Sequence, residues 1–379
     1  MAQHNTDYGL VYDDEGKICV TKRTDIIPFS GVTSYAVETA TTNLITDINP
    51  INWRKSDGVT VELTTGKYMN MPVYKVTLPE TRSSYISYDS IDYTDGMWLT
   101  ASVYIKPVQY SPTRRPSLYL REYNFGTVYT SQLFPTAMNT WSRMEVPFQF
   151  SGTGTIHVLL YTNIATNDIP NIFYMTMPQV ENKPFASSFV NGSRPNGRLV
   201  VPLEKLGFNP ATDDWVIHYW KYPVATSNDV LTGSSICSLG QSSGSEDKTY
   251  IYWGKSDQGN YFIIRVTNSD NTAGAVSGAN FDPDWYFRNW HHEVILKHDG
   301  VIEYWIDGVQ RLVFALDKPL MNNTTFGLTL GGNSSRQPNN AYLTNICYGL
   351  YTDQWTPEYI QEIYQQRNGF FVPPKAVIV

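Results

Sequence analysis

The stretch from Asn289 to Phe314, NWHHEVILKHDGVIEYWIDGVQRLVF, places two Asp-Gly pairs between alternating apolar segments. Asp299-Gly300 separates EVILK from VIEYW, and Asp307-Gly308 separates EYWI from VQRLVF. A two-residue hairpin loop needs positive φ, which Asp and Gly tolerate. The stretch therefore predicts successive antiparallel hairpins and commits this part of the chain to a sheet.

The rest of the chain points the same way. Charged residues make up only 17%, while tyrosines number 27 and tryptophans 10. With abundant Gly, Pro, Thr, Ser and Asn, this is the composition of an all-β protein with many turns. The 379 residues are enough for two domains. The net charge of −7 is spread along the chain, and no basic run exceeds a pair (Lys22-Arg23, Arg114-Arg115). Nucleic-acid binding has no electrostatic footprint here. No apolar run approaches the ~20 residues of a membrane helix, and the polar N-terminus is no signal peptide. The expectation is a soluble chain made in a cytosol. Cys19, Cys237 and Cys347 are too few for a disulfide framework and include no zinc-type Cys pair. Cys237 and Cys347 are read as buried free thiols, with a facing pair inside one sandwich as the other reading.

Four segments follow from the turn signals. Residues 1–40 read as an extended N-terminal arm with one small hairpin turning at Asp14-Glu15-Gly16, too poor in apolar mass to fold alone. Such an arm docks onto its own domain or onto a partner, and the partner is the expectation. Residues 41–190 read as a first β-sandwich, with turns at Ser56-Asp57-Gly58, Thr65-Gly66, Thr94-Asp95-Gly96 and Ser151-Gly152. Residues 191–198, NGSRPNGR, read as a linker. Residues 199–379 read as a second, jelly-roll sandwich of about nine strands with a C-terminal helix and an extended apolar tail. The helix is expected from Pro357 to about Arg367, with Thr356 as N-cap and Ile360, Ile363 and Tyr364 as its apolar stripe.

Period-2 alternation in the first sandwich assigns Leu99, Ala101, Val103, Ile105, Leu118, Leu120, Ile156, Val158 and Leu160 to a core. The opposite parity carries Trp98 and Tyr104, then Tyr119, Arg121 and Tyr123, then His157 and Tyr161. Aromatic rings stack on sugar C–H faces, and fixed polar groups catch hydroxyls. These seven residues are the candidate glycan-binding face. A face packed under another domain or subunit is the competing reading.

Catalytic signatures are weak. Glu303 and Asp307 share strand parity, but Asp307 belongs to a turn, so a retaining carboxylate pair about 5 Å apart is not expected. Ser256-Asp257-Gln258-Gly259 reads as a hairpin turn. His291 and His292 point to opposite faces, and His298 lies roughly 20 Å along the strand from His292. No nucleophile elbow, phosphate loop or zinc-protease motif is present. The chain is therefore read as no enzyme and as needing no cofactor. A structural Ca²⁺ on Asp282 and Asp284, with Asp213, Asp214 and Asp168 as further oxygen sources, stays open.

Two stretches carry family resemblances. FYMTMPQVENKPFASSFVNG, with Pro178, Gln179, Val180, Glu181, Pro184, Ala186, Ser187, Ser188 and Phe189, resembles the closing strand of carbohydrate-binding-module-like sandwiches in phage tail fibres and other virion proteins. NLITDINPINWRKSDGVTVE, with Asn43, Leu44 and Trp53, resembles the opening strands of such modules. In the second sandwich, Trp290, His292, Val294 and Leu296, then Trp305, Asp307 and Gly308, and the run Ile346 to Tyr364 resemble laminin-G/concanavalin-like jelly rolls, which bind glycans or proteins and often hold one Ca²⁺. The resemblance implies a bacteriophage virion protein, either a tail-fibre or receptor-binding component or a capsid fibre or decoration protein. It implies attachment to other virion proteins through the arm, host-surface polysaccharide as ligand, and a homo-oligomer such as a trimer, with neither nucleic acid nor membrane as partner. A polysaccharide depolymerase and a purely architectural virion protein are the alternatives.

Overall fold

Both Asp-Gly pairs are turns in the computed structural model of the chain. Asp299 and Gly300 have φ of 47° and 74°, and Asp307 and Gly308 have 54° and 76°. Double positive φ matches the right-handed twist of the flanking strands, so His291–His298, Val301–Ile306 and Val309–Ala315 pair in sequence. The structure describes residues 8–12, 18–22, 26–29, 32–79, 83–111, 114–123, 126–163, 169–197, 199–225, 234–239, 249–256, 259–278, 280–322, 327–331 and 340–365.

The chain is an all-β protein of two sandwich units. One is Thr41–Arg194, and the other combines Met1–Ala40 with Pro195–Val379.

In the Thr41–Arg194 unit two five-stranded sheets face each other. The front sheet runs Val128–Leu133, Ser117–Glu122, Gly154–Thr162, Ser84–Tyr93 and Arg54–Lys55. The back sheet runs Ser142–Gln149, Trp98–Gln109, Asn171–Glu181, Met71–Leu78 and Thr60–Tyr68. All nine core residues expected from alternation lie in one buried cluster, none more than 5% exposed. One expected turn moves. Gly66 stays within Thr60–Tyr68, where the register shifts between Leu63 and Lys67, and the chain reverses at Met69-Asn70. Thr64 Oγ1 accepts the Gly66 N–H at 3.2 Å and donates to Val73 O at 2.9 Å, so the glycine serves an irregularity in the strand.

In the other unit the described strands of residues 1–40 dock onto their own domain, the less favoured of the two readings of the arm, in place of the expected docking onto a partner. Tyr8–Tyr12 and Ile18–Lys22 form a hairpin, and Val20 pairs with Val200 in an eight-stranded sheet. Val32–Val37 pairs with Ala341–Leu350 in a seven-stranded sheet. Ala36 and Val37 are 1% exposed, and Asn340 Oδ1 accepts from Thr39 N and Thr39 Oγ1 at 2.7 and 3.0 Å. A segment with little apolar mass of its own thus gains order by completing sheets already built. The expected linker is also used. Ser193–Arg194 pairs with Thr41–Thr42, and Gly197 donates its N–H to Glu38 O.

The helix spans Pro357–Gln365, and Thr356 caps it through the Tyr359 N–H. Ile360 packs on Val216, Val294, Leu296 and Trp305 of the seven-stranded sheet. On this face His292 Nε2 lies 3.3 Å from His218 Nδ1, with Trp355 and Trp220 against the rings. The opposite face buries Lys221 against Glu293 at 3.0 Å, and Tyr219 donates to the same carboxylate at 2.8 Å. His291 turns to this side, to Asp307 at 2.7 Å, as the parity argument requires. Cys237 and Cys347 are both free thiols, the first buried and the second half-buried.

Candidate functional site

The seven candidate glycan residues do not share one surface. Trp98 and Tyr104 lie on the back sheet, while Tyr119, Arg121, Tyr123, His157 and Tyr161 belong to the front sheet or its end. Alternation reports which side of a strand is inward. It does not report which of the two sheets the strand joins, and that separates the set.

On the back sheet, Tyr104 packs 5.5 Å from the Tyr68 ring, and Tyr68 stacks on Trp141 at 4.5 Å. The Arg143 guanidinium lies 5.5 Å over Tyr104 and donates to Ser102 Oγ at 3.0 Å. Nearby, residues of the Pro178–Phe189 run form a closed polar network. Gln179, Glu181 and Ser187 are fully buried. Glu181 accepts from Thr41 Oγ1 at 2.6 Å, from Ser187 N at 2.9 Å and from Gln179 Nε2 at 2.5 Å, and Ser187 Oγ also donates to it. Gln179 Oε1 accepts the Val190 N–H at 2.7 Å. Every one of these groups is satisfied within the fold, so the Pro178–Phe189 run is a structural latch.

The front sheet has a different character. Its outward residues fall in register as Leu133, Ser117, Tyr161 and Tyr85 in one row, and Ser131, Tyr119, Leu159 and Ser87 in the next. Tyr119 and Tyr161 meet edge to face at 5.7 Å, both half-buried. Beside them opens a cavity of about 570 Å³, to which Tyr110, Arg114, Arg115, Tyr119, Leu133 and Tyr161 contribute. Ser111, Ser117, Thr162 and Asn163 add polar groups. Leu133 and Met138 on its margin are 56% and 43% exposed. Burial pushes the Tyr110 hydroxyl well above the ordinary tyrosine range, against the opposing pull of the Arg115 charge.

A second front-sheet group surrounds His157. Between the pairs Ile156–Ile91 and Val158–Tyr88, two residues, Asp89 and Ser90, oppose His157 alone. Ser90 takes φ of 69°, and this bulge brings the Asp89 carboxylate 2.5 Å from His157 Nδ1. Ser87 Oγ donates to Asp89 at 2.7 Å, and Arg54 lies 3.6 Å away. His157 is fully buried beneath the parallel Tyr123 ring, 4.6 Å distant. It therefore orients Tyr123, which is 40% exposed, and does not itself meet a ligand. Arg121 donates to Gly126 O at 3.1 Å within its own hairpin.

Sequence reasoning passed over Tyr85, Asp89 and Tyr110, and treated Arg114-Arg115 only as a basic pair. The adjacent arginines between prolines in SPTRRP were the available signal.

The calcium candidates have local roles. Asp282 caps the short helix Pro283–Tyr286 by accepting the Asp284 N–H at 2.9 Å. Asp213 accepts the Asn209 N–H, Asp214 pairs with Lys297 at 3.0 Å, and Asp168 lies outside the described residues. Among the described residues no group of three or more His, Cys, Asp or Glu gathers as a metal ion needs.

No protein-family model and no curated protein matches this chain. Similar solved structures include the receptor binding domain of botulinum neurotoxin D, at 9% identity and TM-score 0.35, over 48% of this chain and 43% of that one. The binding domain of Paraclostridial Mosquitocidal Protein 1 overlaps at 11% identity and TM-score 0.34, over 49% of this chain and 48% of that one. Domain 4 of AbnA, a GH43 extracellular arabinanase from Geobacillus stearothermophilus, in complex with arabinotriose, overlaps at 13% identity and TM-score 0.32, over 48% and 81%. The chain thus matches less than half the length of each toxin domain. These partial overlaps carry no statement about ligand or activity here, and none bears on a phage setting.

Proposed function

We propose that the protein is a non-catalytic, saccharide-binding component of a bacteriophage virion, with the front face of the Thr41–Arg194 sandwich turned toward host-surface polysaccharide. The observation that carries the saccharide reading is the cavity of about 570 Å³ where Tyr119 and Tyr161 meet hydroxyl, amide and guanidinium groups. Its size falls in the range of about 300–1,000 Å³ common to ligand sites. Half-buried rings offer flat surfaces for sugar C–H groups, and the polar rim supplies donors for hydroxyls. The virion setting is supported by the resemblance of the Pro178–Phe189 run to phage-module closing strands.

A glycan array probed with the full chain tests the binding reading. Tyr119→Ala and Tyr161→Ala should each weaken the positive signals about tenfold. An array silent for every glycan would remove the reading, and a larger assembly by light scattering would then favour a packing face. Antibody labelling of phage particles tests the setting, and unlabelled particles would count against it.

A further inference from the structure

We propose that the front-sheet cavity selects saccharides that bear a carboxylate, with Arg114 and Arg115 as the anion-recognising pair. This inference rests on the saccharide reading above and names the ligand class.

Charge is the first argument. The chain carries a net charge of −7, yet two arginines and neither Asp nor Glu are among the described residues that line the cavity. A neutral sugar presents nothing to balance two guanidinium groups when it strips water from them, whereas a carboxylate does.

Geometry is the second. Arg115 Nη1 donates to Phe134 O at 2.9 Å, which holds the side chain in place. A guanidinium has five N–H donors in a fixed fork, so this one bond leaves others for a bidentate carboxylate. Ser111 accepts the Arg114 N–H through its carbonyl at 3.4 Å and its hydroxyl at 3.1 Å, a turn that seats the arginine pair at the cavity.

The test is calorimetric titration of the full chain with paired oligosaccharides, uronate- or sialate-bearing, each beside its carboxyl-reduced form. The acidic member of at least one pair should bind about 10- to 100-fold tighter, as charge-assisted hydrogen bonds require. Added salt should narrow that gap. Arg114→Gln should bring the two members of each pair to about equal affinity. Arg115→Gln should do the same, and Arg114→Gln keeps the test decisive if loss of the Phe134 bond disturbs folding. Equal affinity within every pair would overturn the carboxylate proposal and leave the saccharide reading standing. No binding by any member would remove both. Tight binding of inorganic phosphate alone, without sugar dependence, would overturn the proposal in favour of a simple anion site.

Discussion

The Asn43 carboxamide oxygen accepts the Val180 backbone N–H at 3.0 Å, across 137 residues of sequence. It also accepts the Ile45 N–H at 3.0 Å, while Nδ2 donates to Pro178 O and Val190 O at 3.0 and 3.2 Å. The stretch that opens at Asn43 and the Pro178–Phe189 run are thus joined by one side chain. Beside it, Glu181 takes the Thr41 hydroxyl. These bonds tie the first and last segments of the Thr41–Arg194 sandwich together.

Asn43 is 3% exposed, so its removal leaves several buried backbone groups without partners. Asn43→Ala should destabilise this unit by about 3 kcal/mol. Urea-dependent hydrogen exchange at the amides of Asn171–Glu181 localises the loss to this unit. Unchanged protection there would mean that the latch is replaceable by water.

Residues 1–40 should stabilise the unit they join. Their deletion removes Ala36, Val37 and the Thr39–Asn340 bonds, and bares one edge of the strand Ala341–Leu350. Burial of Val37 alone is worth about 1.5–3 kcal/mol. A subtler variant is Gly331→Ala. Gly331 has φ of 85°, and an added methyl would overlap Val37 Cβ. The substitution should cost about 2–4 kcal/mol and raise exchange in Val32–Val37 and Ala341–Leu350 together. Loss of protection in neither strand would show that the N-terminal strand is dispensable.

Much of the scaffold was legible in local pattern. Leu99, Ala101, Val103 and Ile105 alternate and are buried, Asp299-Gly300 and Asp307-Gly308 turn where positive φ is required, and Thr356 caps its helix. The site was legible only in part. Tyr119 and Tyr161 were singled out by parity, but Trp98 and Tyr104 were grouped with them because strand parity is blind to sheet membership. Asp89 reaches His157 through a bulge, which displaces the alternation that sequence reasoning follows. Tyr110 and Arg115 come together with Tyr161 through non-local folding, for which no period in the sequence speaks.

His218 and His292 should make the second unit acid-sensitive. Burial lowers His218 from 6.5 to about 4, and burial with the neighbouring His218 ring lowers His292 to about 3. Both rings are neutral in the folded state at pH 5, while in the unfolded chain they bind protons below about 6.5. The unfolded state therefore holds more protons between pH 6.5 and 4, and stability is fully present above that window and falls as pH drops through it. His218 is only half-buried by its surface exposure, so its share is the smaller. The two together should cost on the order of 2–4 kcal/mol at pH 5 relative to pH 7. Urea unfolding at pH 7, 6 and 5 measures the slope. His292→Phe should flatten it, and an unaltered slope in that variant would assign the acid sensitivity to other groups.

Lys221 and Glu293 should behave as a coupled pair within the core. Both are fully buried, 3.0 Å apart, and Tyr219 and Tyr286 donate to the carboxylate at 2.8 and 3.1 Å. Burial lowers the Lys221 pKa, and the Glu293 charge opposes that shift. Lys221→Met leaves a carboxylate in the core without its cation and should cost about 3–5 kcal/mol. Lys221→Met combined with Glu293→Gln removes both charges, while an amide oxygen can still accept from the tyrosines. The double variant should therefore be more stable than Lys221→Met alone, and chemical denaturation of all four members of the cycle gives the coupling energy. Strict additivity would mean that the ammonium and carboxylate act independently, with the tyrosine hydroxyls alone holding Glu293 in place.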